Sequence, residues 1–305
     1  MSPRLDGYAG LLHNVRPLLG AYWKGVQRSL RPVPVSRLPT EAPPELWHTA
    51  GEIRISPAQV QSYLAVTDGI DLVGAPGGLL PPLYFTTWFL RPYLNVLSSD
   101  ALSLNLLGIV HLENELRVHR PLTRSDRITC RVGLESLERN ERRVLIAVRC
   151  ENLVGGELGS ESRSLILARL GRGGARTKKE PEAQPDRSDW NTLRDLRFGE
   201  DLGRRYGLLT GDVNPIHLHR LTSQAFGFRR PIAHGFCLKA MVAHALIRSL
   251  GRGDIGRLER LDIRFRGVIP LPGQATLLHH GDEFIVTGSD PDRPAAEGKF
   301  TIRTE

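Results

Sequence analysis

The sequence predicts an α+β fold with two domains, each built from one long apolar helix and an antiparallel sheet that packs around it. The first observation is length, because 305 residues are enough for about two domains of ordinary size. The second is that each half contains one long apolar segment with helical spacing. The third is that several alternating segments follow each long helix, and such alternation is typical of half-buried strands.

The composition is that of a folded protein, with 40% hydrophobic and 24% charged residues. The net charge of +8 rests mainly on arginine, which favours recognition of phosphates or carboxylates. The 3 cysteines form no C-x-x-C pair, which argues against a disulfide framework and indicates a reducing, cytoplasmic setting. No uninterrupted apolar run predicts a secretory leader or a membrane-spanning helix.

Two irregular stretches divide the chain. Residues 171–189 contain no apolar side chain larger than alanine, so they predict a linker between two domains. A proline-rich stretch at 31–44 separates an N-terminal extension, interpreted as a docking helix, from the first domain. The expected parts are therefore an extension at 1–45, a first domain at 46–170, the linker, and a second domain at 190–305.

In the first domain, apolar periodicity predicts a short helix at 56–67 and a longer helix at 81–95. Alternating segments then predict four strands, at 109–118, 127–137, 143–153 and 160–170.

The second domain repeats this order, with a short helix at 202–210 and a long helix at 231–250. Its predicted strands are shorter and lie at 258–268, 274–279, 283–287 and 297–303. A local echo supports duplication, because Tyr63-x-x-x-Thr67-Asp68-Gly69 has a counterpart in Tyr206-x-x-x-Thr210-Gly211-Asp212.

Reactive polar residues are concentrated between the two helices of the second domain. Gly211 permits a sharp exit from the short helix, and Asn214-Pro215 favours a turn that can bring Asp212 and His217 together. A carboxylate and an imidazole can hold one water between them and move its protons. This is acid–base chemistry that needs no metal.

A metal site is not expected. His217 and His219 have the spacing of a ligand pair, but no third ligand lies at a recognisable distance along the chain.

The long helix of the second domain is predicted to open with Ile232-Ala233-His234-Gly235, and the N–H groups of its first turn have no helical partners. Because glycine has no side chain, a substrate carbonyl can closely approach the Gly235 N–H. The helix dipole would stabilise negative charge that develops on that oxygen, as in an oxyanion hole.

The segment Thr210-Gly211-Asp212-Val213-Asn214-Pro215-Ile216-His217 resembles the signature of the MaoC-like family of R-specific enoyl-CoA hydratases and 3-hydroxyacyl-thioester dehydratases. Five other segments resemble further landmarks of that family, at 108–114, 119–122, 226–228, 231–235 and 264–266. The resemblance extends from about residue 53 to the end of the chain. It implies a double hot-dog fold, in which each domain has a long central helix wrapped by an antiparallel sheet.

By this resemblance, Asp212 would activate a water for attack on C3 of a trans-2-enoyl thioester, and His217 would protonate C2. The Gly235 N–H would bind the thioester oxygen, and Asn214 would hold the turn. Which member of the dyad takes the proton and which gives it stays open, because one shared water couples their titrations. The first domain has Gly69 where Asp212 would align, so one active site per chain is expected.

The implied substrate is an acyl-CoA or acyl-carrier-protein thioester, with no cofactor and no metal. Arg229, Arg230 and Arg266 are candidates for binding its charged groups, although the first two could equally be a solvated pair. His234 is a further candidate, with an alternative role in orienting the helix start. In two-domain relatives the first half makes room for a long acyl chain, so an aromatic cluster is either its lining or plain core: Tyr84, Phe85, Trp88 and Phe89.

The sequence is also compatible with two other functions. One is a non-catalytic module that binds acyl thioesters or their carrier protein. The other is a basic protein that binds nucleic acid or a membrane surface, but no zinc-finger spacing, RNP-like aromatic motif or basic helix accompanies the positive charge. We expect a cytoplasmic monomer or homodimer with no nucleic-acid partner and no integral membrane segment.

Overall fold

The structure of the chain is a computed structural model. It describes residues 39, 41–43, 46–74, 76–102, 104, 109–140, 143–169, 187–288 and 294–303. The expected docking helix within 1–45 and most of the expected linker lie outside these residues, so the domain boundaries stay predictions.

In the described part of the first half there are two α-helices and five strands. In chain order they are β1 (Trp47–Ile53), α1 (Pro57–Val66), α2 (Thr86–Leu97), β2 (Ile109–Val118), β3 (Ile128–Arg139), β4 (Arg143–Val154) and β5 (Glu157–Arg169). All the helices and strands expected from periodicity are present, within a few residues of their expected ends. Strand β1 was not expected.

The second half repeats this series with one additional short helix. Its elements are β6 (Asn191–Phe198), α3 (Leu202–Thr210), α4 (Arg220–Gln224), α5 (Gly235–Ser249), β7 (Leu258–Phe265), β8 (Gly273–His280), β9 (Glu283–Thr287) and β10 (Pro294–Ile302). Strand β6 was missed by the periodicity analysis, as its counterpart β1 was.

All ten strands form one antiparallel sheet, in the order β1-β3-β4-β5-β2-β7-β10-β9-β8-β6. The five strands of each half follow the same internal order, which confirms the duplication. The halves join where β2 pairs with β7, with Leu116 opposite Leu261 and Asn114 opposite Ile263. Strands β1 and β6 are the two outer edges. We call the β2–β7 junction the seam.

The long helices fill the concave side of this sheet. Every residue of α5 from Cys237 to Ile247 is buried, so this helix is central and has no solvent face. It packs against β6 and β7, whereas α2 packs against β1, β3 and β4. One helix wrapped by antiparallel strands in each half is the double hot-dog fold. Among the described residues, no helix is long and apolar enough to cross a membrane.

Helix α5 begins later than expected, at Gly235 rather than at residue 231. The preceding residues are extended because their backbone groups bond to other segments. The Ile232 N–H donates to the Ile216 carbonyl at 3.1 Å, and the Ala233 N–H donates to the Ile269 carbonyl at 2.9 Å. His234 is therefore the N-cap, and Gly235 is the first residue of the helix.

Candidate active site

The turn that carries the reactive residues starts where α3 ends. Gly211 adopts φ +84°, a left-handed conformation that glycine adopts without strain, and its N–H donates to the Gly207 carbonyl at 2.7 Å. The Thr210 hydroxyl donates to the Tyr206 carbonyl at 2.9 Å and accepts from the Asp212 N–H at 3.3 Å. These bonds direct Asp212 away from the helix axis.

Asn214 shapes the rest of this turn. Its N–H donates to the Asp212 carboxylate at 3.3 Å, and its side-chain oxygen accepts from the Ile216 N–H at 3.4 Å. Pro215 opens a single 3₁₀ turn, Pro215–His217, which Asn214 caps. The structure thus places Asn214 where the resemblance implied, between the two reactive residues.

Asp212 and His217 come together with a third group, His234. One ligand atom of each lies within 4.8 Å of the others. A water that hydrogen-bonds to two groups at once can bridge a gap of up to roughly 5.6 Å, so one water fits between the carboxylate and the imidazole. About 32% of the Asp212 side chain is exposed, so a substrate can reach it.

The protonation state of His217 follows from its surroundings. Its Nδ1 lies 2.7 Å from the Ile232 carbonyl, which can only accept, so Nδ1 carries the proton and Nε2 keeps a lone pair. Burial, and then the nearby His234, lowers the pKa of His217 to about 3. The imidazole is therefore neutral near pH 7 and available to accept a proton.

His234 contacts both members of the Asp212–His217 pair. Its ring stacks on that of His217 at a centroid distance of 3.7 Å and packs against Tyr206 at 5.0 Å. Its Nε2 donates to the backbone carbonyl of Asp212 at 3.0 Å. With 2% of its surface exposed, His234 lies inside the site rather than at a surface that could meet a nucleotide. Its role in binding stays a prediction.

The same three residues supply a carboxylate and two imidazoles, which are groups that can hold a metal ion. His219, the partner of His217 in the sequence spacing, is not part of this cluster, and its Nδ1 accepts from the Leu221 N–H at 3.2 Å. The geometry fits a metal poorly, however, because the rings of His217 and His234 are nearly parallel, with an interplanar angle of 26°. Parallel rings direct their in-plane lone pairs side by side and not toward one point.

Helix α5 directs its first turn into this site. His234 makes no side-chain capping bond to the helix, so no side chain of the cap covers the Gly235 N–H. A side chain on residue 235 would press on Phe265, whose ring atoms would lie 3.0 to 3.4 Å from its Cβ. Glycine therefore allows the Phe265 ring to pack closely against the start of the helix.

Sequence reasoning missed two glycines on one face of α3. A Cβ on Gly203 would overlap the His217 carbonyl oxygen, and a Cβ on Gly207 would lie 2.6 Å from the Asp212 carbonyl oxygen. Their spacing of one helical turn places both on the face against which the reactive turn packs. Two glycines one turn apart in a helix were the signal that could have revealed this close approach.

The arginine candidates lie farther out. Arg229 and Arg230 are exposed in the loop before α5. Arg266 is paired with Glu297, with Nε to Oε1 at 2.7 Å. The structure does not bring the three into contact with the dyad, and their part in binding stays a prediction.

The first half contributes to the walls of the site. The Tyr206 hydroxyl donates to Thr86 of α2 at 3.2 Å across the interface between the halves. Phe236, which follows Gly235, packs against Phe85 at 6.2 Å and against Phe89 at 5.2 Å. The aromatic side of α2 therefore adjoins the start of α5.

The corresponding turn of the first half has no counterpart of the Asp212 carboxylate. The Thr67 hydroxyl donates to the Tyr63 carbonyl at 2.7 Å, as Thr210 does to Tyr206, and Asp68 has φ +53° where Gly211 has φ +84°. Gly69 then replaces Asp212, and a Cβ there would lie 2.5 Å from His244 Nδ1. Among the described residues, the dyad therefore occurs in the second half alone.

Four buried histidines predict that acid destabilises the fold. Burial lowers the pKa of His217 to about 3 and of His111 and His244 to about 4, and it also lowers the pKa of His234. The unfolded chain takes up these protons near pH 6.5, before the folded chain does, so the free energy of unfolding falls as pH drops below 6.5. Each of the three histidines whose pKa is about 3 or 4 contributes up to about 1.4 kcal/mol per pH unit in that window.

Urea unfolding between about pH 7 and pH 5 measures this slope. His244 is one of these four histidines and is not part of the Asp212–His217 dyad. We therefore expect His244→Gln to give a smaller dependence of the free energy of unfolding on pH than the wild type. His280→Gln, at an exposed histidine, serves as the control and should leave the slope unchanged. A free energy of unfolding that is constant across this pH range would contradict the neutral state of the buried imidazoles.

The chain is similar to several known proteins. The family model described as MaoC like domain matches residues 176–279. The 3-hydroxyacyl-thioester dehydratase X of Mycobacterium tuberculosis is 27% identical over 241 residues, which cover 78% of this chain and 81% of that protein. The peroxisomal multifunctional enzyme type 2 of Mus musculus is 28% identical over 57% of this chain, which spans 24% of that enzyme.

Solved structures share the fold. The crystal structure of HtdX from Mycobacterium tuberculosis has a TM-score of 0.66 at 24% identity and covers 83% of this chain and 98% of its own. A MaoC-like dehydratase from Phytophthora capsici has a TM-score of 0.66 at 18% identity, covering 88% of this chain and 99% of its own. The resemblance inferred from the 210–217 motif is thus confirmed, and at the level of the family it supports hydratase or dehydratase chemistry.

Proposed function

We propose that this chain, which carries a MaoC-like domain at residues 176–279, reversibly adds water to trans-2-enoyl thioesters and forms (3R)-hydroxyacyl thioesters. The observation that carries the proposal is the approach of Asp212 and His217 to within 4.8 Å, next to the open start of α5. The names of the relatives, which include dehydratases and hydratases of thioesters, support the same reaction class.

In this reaction the dyad handles the protons of one water. The water lies between the Asp212 carboxylate and Nε2 of His217, and its oxygen attacks C3 of the substrate. Because the proton of neutral His217 is on Nδ1, where it bonds to the Ile232 carbonyl, Nε2 has no proton to give until it receives one. The proton that leaves the water therefore passes to the dyad, and the dyad delivers one proton to C2. The product gains one OH and one H, and both side chains regain their initial state.

The start of α5 handles the negative charge. Attack at C3 moves electrons onto the thioester oxygen, which becomes an enolate oxygen. The Gly235 N–H is the donor that can reach this oxygen, and the positive end of the helix dipole adds to the stabilisation. The same contacts serve dehydration, because the reverse reaction passes through the same enolate.

The acyl chain follows the aromatic side of α2. Tyr84, Phe85 and Trp88 line a narrow cavity together with Ile255 of the second half. Phe236 connects Gly235 to Phe85 by ring contact. An apolar chain that leaves the thioester in this direction meets mainly hydrophobic residues, with Ser160 as a polar member of the lining. Arg229 and Arg230, exposed near the site, are suited to the phosphates of CoA or to an acidic carrier protein.

Loss of the enoyl-thioester absorbance tests the proposal, using the full chain with crotonyl-CoA and with trans-2-enoyl-CoA of eight to twelve carbons. We expect hydration of both, and chiral chromatography should show the (3R) product. Each buried methylene contributes about 0.8 kcal/mol, so four additional buried carbons should raise kcat/KM by about 10²-fold. If the longer thioester binds and no absorbance is lost, the chain is a binding module and the proposed reaction is wrong.

A further inference from the structure

One polar side chain of the first half, His111, lies near the start of α5 and does not belong to the Asp212–His217 dyad. His111 of β2 lies with its ring centroid 5.0 Å from that of Phe236 and 5.1 Å from that of Phe265. Phe236 follows Gly235 in the chain, and Phe265 is the residue that a side chain on Gly235 would press against. His111 therefore contacts the residue next to Gly235, whose N–H is the proposed donor to the thioester oxygen.

The Nε2 atom of His111 is buried and has no hydrogen-bond partner among the described residues. A buried polar atom without a partner destabilises the folded protein, so such atoms call for an explanation. The imidazole is also held neutral, because burial and the charge of Lys239 lower the pKa of His111 to about 4. A hydrogen bond to the Glu113 backbone raises that pKa, as a carbonyl acceptor does, and this leaves a lone pair on Nε2.

A buried network fixes β2 relative to α5. Lys239, one turn after Gly235, donates its Nζ to the Asn114 carbonyl at 3.0 Å and also to the Asn114 side-chain oxygen. The Asn114 amide donates to Ser162 at 2.8 Å and to Ser164 at 3.0 Å. The pairing of β2 with β5 is irregular between His111 and Glu113, which turns this part of the strand away from regular alternation. His111 is thus placed in advance of any ligand.

The ring of Phe236 has neighbours of two chemical kinds. Phe85 and Phe89 offer only carbon, whereas His111 also offers a ring nitrogen. A thioester bound at the Gly235 N–H has two arms. The acyl arm is apolar, whereas the pantetheine arm carries an amide N–H two methylenes from the sulfur. His111 suits the pantetheine arm, because the amide N–H of that arm can pair with Nε2 of His111.

We propose that His111 accepts a hydrogen bond from the first amide N–H of the pantetheine arm, a group that CoA and acyl-carrier protein share. The inference rests on the proposed function. It gives the non-catalytic half a direct part in substrate recognition. His111 binds the substrate outside the reacting atoms, so it should affect selection of the thioester arm and leave the dyad chemistry intact.

A pair of small substrates isolates the amide N–H. Crotonyl N-acetylcysteamine contains this amide, and the crotonyl thioester of 4-oxopentane-1-thiol replaces only its N–H by CH₂. We expect the wild type to favour the amide by about tenfold in kcat/KM, the size of one neutral hydrogen bond. In His111→Phe the ratio should fall to about one, chiefly through the amide substrate. His119→Phe, the same change at an exposed histidine, should keep the wild-type ratio.

Two results would overturn the proposal. One is a wild type without preference for the amide, which needs no variant to interpret. The other is a His111→Phe variant that loses activity equally with both substrates, which would show a packing role. If the wild type hydrates neither these substrates nor crotonyl-CoA, the proposed function fails and NMR titration with the saturated butyryl pair decides for His111. The proposal is supported if the wild type binds the amide compound more tightly and His111→Phe loses this preference. Equal binding of the two compounds, or no binding, refutes it.

Discussion

Asp212→Asn should lower kcat for enoyl-thioester hydration by about 10²-fold to 10⁴-fold, the usual contribution of one positioned proton-transfer group. The asparagine keeps the size of the side chain and can still accept from the Asn214 N–H through its oxygen, so the turn should survive. It cannot take up the proton of the water. Steady-state rates with one enoyl-CoA measure the loss, and thermal unfolding should show a change of only a few degrees.

The matched control is Asp201→Asn, at an exposed aspartate before α3 that makes no capping bond. It should keep wild-type rates. Full activity in Asp212→Asn would exclude Asp212 from the chemistry.

His217→Ala provides the second half of a mutant cycle. If Asp212 and His217 act on one water, removing either should cost nearly as much as removing both, because the second loss has little left to remove. Rates of the two single variants and of the double variant measure this. Effects that simply multiply would show that the two residues act on separate steps.

Gly203→Ala should abolish most of the activity although the change lies in helix α3 and not in the reactive turn. An alanine is ordinarily about 1 kcal/mol better than a glycine inside a helix, so helix propensity alone predicts a gain in stability. Here the new Cβ would overlap the His217 carbonyl oxygen, so the reactive turn must move away from α3. We expect a loss of about 2 to 4 kcal/mol in the free energy of unfolding and at least about 10²-fold in kcat/KM.

Urea unfolding and hydration rates, measured on the same preparation, test this. Gly207→Ala should show a smaller loss of the same kind, because its Cβ would lie 2.6 Å from the Asp212 carbonyl oxygen. Arg205→Ala, a half-exposed position of the same helix, should stay within about 0.5 kcal/mol of the wild type. If Gly203→Ala is as stable and as active as the wild type, the turn does not depend on its close contact with α3.

The elements that periodicity located are those with a strong local signal. The bounds of α3, β2 and β9 match the expected ranges, because apolar residues recur there with the period of their own element. Strands β1 and β6 were missed, and they are the two edges of the sheet. Their residues are mostly half-buried or exposed, so the alternation that marks a strand is weak. What makes them strands is the backbone of β3 and β8.

The start of α5 shows the same limit at the site. Residues 231–234 read as part of an apolar helix, yet Ile232 and Ala233 bond to backbone groups of other segments. Those partners lie far along the chain, so no local pattern reveals them. Because α5 begins at Gly235, His234 lies outside the helix. It is the N-cap, and its ring stacks on that of His217.

The chemistry of the turn at 210–217 could be predicted from the local sequence. A glycine, an asparagine and a proline there favour a turn within a few residues, so Asp212 and His217 can come together. The neutral state of His217, the support from His234, the close approach of Gly203 and the position of His111 were visible in the tertiary structure alone. Each of these depends on burial or on a partner distant in the chain, and neither property is contained in the neighbouring residues.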